Sequence, residues 1–127
     1  MEEVIIEKIS IPAELLEQIN KFEEKQVIVH CIVNGNAYQN MIRVWPSIYI
    51  FPKETKYKCR LLNHFNIVMY PKFQYLNPFC KHKFTLIFEG LPDSCESFDI
   101  KEVIPDIGAF EAFNIKRNGS DVYYVDF

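Results

Sequence analysis

Phe84-Thr85-Leu86-Ile87-Phe88-Glu89-Gly90-Leu91-Pro92-Asp93-Ser94-Cys95-Glu96-Ser97-Phe98-Asp99-Ile100-Lys101 is the stretch whose reading decides the fold. Alternation places Phe84, Leu86 and Phe88 on one face of a strand and Thr85 and Ile87 on the other. Because Ile87 is apolar too, both faces are expected to be covered, as in a central strand of two packed sheets. Gly90 and Pro92 end the ladder, since proline has no N–H to donate and glycine opens conformations closed to other residues. The apolar pattern resumes at Phe98 and Ile100, so the chain is expected to cross the end of a sandwich and enter the opposite sheet.

Working outward, short strands recur with Gly and Pro turns between them. Val27 to Val33 alternates, with Val27, Val29 and Cys31 on one side and Ile28, His30 and Ile32 on the other. Asn34-Gly35 is a hairpin signal, with Ala37 to Trp45 as the returning strand. Pro46 interrupts, Ile48 to Phe51 resumes, and Tyr57 to Leu62 follows, with Tyr57, Cys59 and Leu61 expected inward and Lys56, Lys58 and Arg60 outward. Ile67 to Leu76, broken by Pro71, reads as an edge strand or two short pieces. Asn118-Gly119 predicts a second hairpin, joining Ala112–Arg117 to Val122–Phe127. Upstream, Val4 to Ile9 reads as an edge strand. Beyond the Ser10 cap and Pro12, Leu15, Ile19 and Phe22 fall on one side of a predicted amphipathic helix, opposite Glu14, Glu17 and Glu23.

The order of apolar strand, Glu89-Gly90-Leu91-Pro92, Phe98-Asp99-Ile100 and Phe113-Asn114-Ile115 resembles the C-terminal half of small immunoglobulin-like β-sandwich domains of bacterial, Bacteroidota-type proteins. The likeness covers Lys83 to Ile115. It implies a fold and carries over no catalytic residue. The expectation is a mainly β chain: one domain over residues 1–127, with a strand and helix in 1–26 and an immunoglobulin-like β-sandwich over 27–127.

Length and composition agree with one domain. The 127 residues can bury a core of their own, and an aromatic share of 15% favours strands. No apolar run approaches the roughly 20 residues that cross a bilayer, and the acidic start Met1-Glu2-Glu3 lacks the basic region of an export signal. A cytoplasmic location without membrane association follows as the expectation. Charge is uneven beneath the net −3: residues 53–83 hold six Lys and one Arg against Glu54, while both flanks are acidic. Strict alternation around Lys56, Lys58 and Arg60 favours a solvated strand face over a nucleic-acid patch.

Chemical motifs are sparse. Cys31, Trp45 and Cys95 approach the spacing of antibody-type domains, but Cys95 falls in a turn, no Tyr lies two residues before it, and a cytosolic chain keeps its thiols reduced. Cys59, His64, Cys80 and His82 offer zinc-type ligands without a Cys-x-x-Cys knuckle, so no metal or cofactor is expected. His30 and Cys31, adjacent on a strand, point to opposite faces and do not pair as base and nucleophile. The acids Glu89, Asp93, Glu96, Asp99 and Glu102 read as charged turns. No phosphate loop, nucleophile elbow or His-Glu-x-x-His is present, and no catalytic residue is assigned.

Nine aromatic residues lie between Trp45 and Phe79, interleaved with basic side chains. They cannot all be core. Tyr70, Phe73 and Tyr75 around Pro71 are the predicted binding patch, partly exposed. The resulting reading is a non-enzymatic binding or interaction module for a protein or small ligand rather than nucleic acid, with a homodimer among its assemblies. The alternatives are a small hydrolase, or an immunity-type or regulatory protein that occludes a partner.

Overall fold

Burial alternates along Val27–Asn34 and along the second half of Lys81–Phe88, the two longest strands, and their register brings the apolar halves together. The computed structural model describes residues 26–36 and 40–127. Val4–Ile9, the helix through Leu15, Ile19 and Phe22, and residues 37–39 of the predicted returning strand lie outside them. In chain order the strands are β1 (Val27–Asn34), β2 (Met41–Ile42), β3 (Ile48–Pro52), β4 (Cys59–Phe65), β5 (Gln74–Tyr75), β6 (Lys81–Phe88), β7 (Ser97–Glu102), β8 (Glu111–Lys116) and β9 (Val122–Asp126). The described residues are mainly β and hold no helix.

Seven strands form one sheet in the order β8-β7-β3-β4-β6-β1-β9, and β2 and β5 form a separate pair. β1 lies antiparallel to β6, with Val29 opposite Leu86 and Cys31 opposite Phe84. Its other edge runs parallel to β9. Val27, Val29, Leu86, Phe88, Ile50, Phe98 and Ile100 enter a single core and are fully or almost fully buried.

The sheet is nearly closed. β7 and β9 stand five strand positions apart, which in a flat sheet at about 4.8 Å per strand is about 24 Å, yet the rings of Phe98 and Tyr123 meet edge to face at 4.9 Å between centroids. The two edges approach at both ends. Arg117, just past β8, donates from Nη2 to Asp121 Oδ2 at 3.0 Å, just before β9, and Phe110 and Phe127 bring their rings to 4.9 Å at the far end.

Four local expectations are corrected. Asn34-Gly35 is not a two-strand hairpin, because β1 pairs with β6 and β9 rather than with the segment that follows it. Gly35 serves close approach instead, since a Cβ there would lie 2.3 Å from the Asn77 carbonyl oxygen. Asn118-Gly119 does connect β8 to β9, but these strands are the two edges of the sheet and share no ladder. Tyr57 is 70% exposed rather than inward, because β4 begins only at Cys59. β7 joins the same sheet as β6, with β3 and β4 between them, so the crossing after Pro92 is made within one curled sheet.

Candidate functional site

The aromatic segment is built by two stretches that hold each other in place. Val44 and Met69 form an isolated parallel bridge, with Val44 N–H donating to Val68 O at 2.9 Å and Tyr70 N–H to Val44 O at 2.8 Å. Val44 is fully buried. Alternation about it therefore turns Arg43 and Trp45 together to the other side. The chain reverses at Tyr70-Pro71, where Lys72 N–H reaches Met69 O at 2.9 Å, and Gln74 Oε1 accepts from Val68 N–H at 2.8 Å.

This frame brings three rings around one cation. Trp45 and Tyr70 stack with centroids 3.8 Å apart. The Arg43 guanidinium lies 3.9 Å from the Phe73 centroid, 4.7 Å from Tyr70 and 5.4 Å from Trp45, and Nη1 donates to Pro71 O at 3.2 Å. A planar guanidinium suits such stacking. The rings remain accessible: Tyr70 is 43% exposed, Phe73 53% and Tyr75 66%. Tyr75 stands apart from the cluster, opposite Met41 across β2 and β5. The sequence reading counted Trp45 among the nine rings but singled out neither it nor Arg43; the i, i+2 spacing around Val44 puts the two on one side, and only the fold brings them to Tyr70 and Phe73.

Beside the cluster a cleft of about 240 Å³ is lined by Arg43, Trp45, Phe73, Glu102, Asp106 and Ile107. Glu102 is buried and clamped: its Oε2 accepts from Trp45 N–H at 2.8 Å and its Oε1 from Phe110 N–H at 3.1 Å. Burial raises its pKa above the ordinary carboxyl range, while the two backbone donors and the Arg43 charge pull it partly back. The carboxylate thus fixes Trp45 relative to Phe110.

The other charged candidates disperse. Arg60 grips Glu89 through Nε and Nη2 and through its own N–H. Burial works to raise the Glu89 carboxyl, but these bonds outweigh it and hold it below its usual range. Lys53 pairs with Asp99 at 3.0 Å, and Lys58 sits 4.4 Å from the Tyr49 ring centroid. Glu89, Asp99 and Glu102 thus serve three separate structural contacts.

The cysteines and histidines likewise serve locally. Cys31, Cys59, Cys80 and Cys95 are free thiols, and burial pushes Cys31 and Cys59 up to about 12, which keeps them protonated and poor nucleophiles. His30 faces outward from the buried Cys31, its Nδ1 at 2.9 Å from Thr85 Oγ1. His64 and His82 contact the carbonyls of Ile67 and Asn66. Among the described residues no three metal-ligating side chains converge, and no described helix is long and apolar enough to cross a membrane. No protein-family model, curated protein or solved structure matches the chain.

Proposed function

We propose that this chain is a non-enzymatic binding module that presents Tyr70, Phe73 and Tyr75 to a protein or small-ligand partner. The observation that carries this reading is the exposure of these rings on a hydrogen-bonded frame, with Tyr70 and Phe73 held against Arg43. Exposed aromatic side chains beside an arginine are the composition of recognition surfaces. A protein or small ligand fits better than nucleic acid, because the chain carries net −3 and two of its mid-chain bases, Lys53 and Arg60, are committed to carboxylates.

We further propose that the nearly closed sheet is an immunoglobulin-like sandwich. Its support is the meeting of Phe98 and Tyr123 across the interior, which sets two halves of the sheet face to face. Assembly as a homodimer through the aromatic face is one form the binding takes.

Trp45 is the only tryptophan and stacks on Tyr70, so its fluorescence reports directly on this surface. Proteins captured from the source cells by the tagged chain are compared with those captured by a Phe73→Ser/Tyr75→Ser variant, and each is then titrated against Trp45 emission. A partner lost with the variant that also shifts the emission supports the reading. Identical capture by both proteins removes it, and turnover of ester or glycoside substrates by the purified chain favours the hydrolase instead.

A further inference from the structure

We propose that Asn118 is a self-modification site, at which the chain converts the asparagine amide to aspartyl or isoaspartyl acid, while the other Asn-Gly pair, Asn34-Gly35, is protected by the fold. The reaction needs the glycine amide nitrogen as nucleophile and the asparagine Cγ as electrophile. Both dipeptides have the residue types. Only one has the surroundings.

At Asn118-Gly119 both residues are exposed. A Cβ on Gly119 would meet nothing within 4 Å, so the backbone has room to turn toward Cγ. Among the described residues, Gly119 N–H donates to no acceptor. Asn118 Oδ1, in contrast, is held by three donors: Asp121 N–H at 2.8 Å, Ser120 N–H at 3.1 Å and Ser120 Oγ at 3.1 Å. Donors aimed at a carbonyl oxygen stabilise the negative charge that grows there as a nucleophile adds, as an oxyanion hole does. Two contacts oppose the movement: Asn118 Nδ2 donates to Val122 O at 2.9 Å in an exposed position, and Asn118 N–H donates to the Tyr123 hydroxyl at 3.1 Å.

Asn34 is exposed as well, but Gly35 is only partly so, and the backbone around it is occupied. Asn34 is the last residue of β1, paired with Lys81. Gly35 N–H donates to Cys80 O at 3.4 Å, and the Asn77 carbonyl oxygen and Pro78 Cα crowd the position at 2.3 and 2.8 Å from a built Cβ. Gly35 nitrogen cannot swing onto Cγ without displacing that neighbouring backbone.

The step balances with water alone. Gly119 nitrogen forms a bond to Asn118 Cγ and gives up its proton, the Cγ–Nδ2 bond breaks, and ammonia leaves with that proton to give a cyclic imide. Water then opens the ring at either carbonyl, yielding aspartate or a main chain lengthened by one methylene. Either product puts a negative charge beside the Arg117–Asp121 pair.

The full chain is incubated at neutral pH, folded and in concentrated urea, and acid formation at both dipeptides is followed by peptide mapping. Urea supplies each site's unprotected rate. Folding is expected to slow Asn34 by about tenfold or more, the protection expected of a site that reacts only through local opening, while Asn118 stays within about threefold of its rate in urea. An Asn118→Gln variant should lose the acid at that position and leave Asn34 unchanged. Equal suppression of the two sites by folding, or acid appearing at Asn34 first, overturns the assignment.

Discussion

Glu102 shows how one side chain sets the geometry of its neighbours. Its two carboxylate oxygens hold the N–H groups of Trp45 and Phe110, and Glu102→Gln replaces one acceptor by a donor, at about 1–3 kcal/mol. Its raised pKa fixes the sign of the pH dependence. The folded protein keeps this proton to higher pH than the unfolded chain does, so the contribution is fully present below the unfolded carboxyl pKa and is lost as pH rises through the folded one. The stability gap between wild type and Glu102→Gln should therefore narrow from mildly acidic to neutral pH in urea titrations. A gap independent of pH would show that the carboxyl titrates as a free one. Arg43 offers a second test: Arg43→Ala should cost about 1 kcal/mol through lost ring contacts and shift Trp45 emission, and Arg43→Lys should restore the charge without restoring the spectrum. The exposure of Tyr70 and Phe73 was legible in the sequence because nine rings in one segment cannot all be buried. Arg43 was not singled out, because its role appears only when residues 43–45 and 69–73 are brought together.

At the scale of elements, β1, β6 and β7 followed from period-2 alternation, because every second residue must meet the core. Phe88 in β6 is fully buried, and Phe88→Ala should cost about 3–5 kcal/mol in chemical denaturation. A loss below about 1 kcal/mol is incompatible with that position. Partner choice was not legible. An Asn-Gly pair specifies a local reversal, whereas the neighbour of β1 is selected by matching apolar faces far along the chain: Val29 finds Leu86 and Tyr123. Tyr57 failed for a related reason. Its alternation continues that of β4, but the ladder partners begin only where Cys59 meets Ile50.

For the whole molecule, closure of the sheet depends on a few polar clamps as well as on the core. Arg117 donates to Asp121 through Nε and Nη2 and reaches the carbonyls of Pro92 and Cys95 through Nη1, and the Asp121 and Arg117 side chains are only 13% and 16% exposed. Removing one partner of a pair so shielded leaves the other uncompensated. Arg117→Ala should cost about 3 kcal/mol, and hydrogen exchange should rise in β8 and β9 before it rises in β6. Uniform loss of protection across all strands would show that the clamp is not local to the edges.

The pairing of β1 also bears on how the chain is made. Both of its partners, β6 and β9, lie far downstream, and Ile28 meets Val122 only when nearly all of the described residues exist. With translation at about 5–20 residues per second, the apolar face of β1 spends on the order of ten seconds outside the ribosome before its last neighbour emerges. Until β6 emerges, Val27, Val29 and Cys31 have no strand neighbour at all, and the β9 side of β1 stays open for the rest of that interval, so the nascent chain offers a target to a chaperone that shields extended apolar segments.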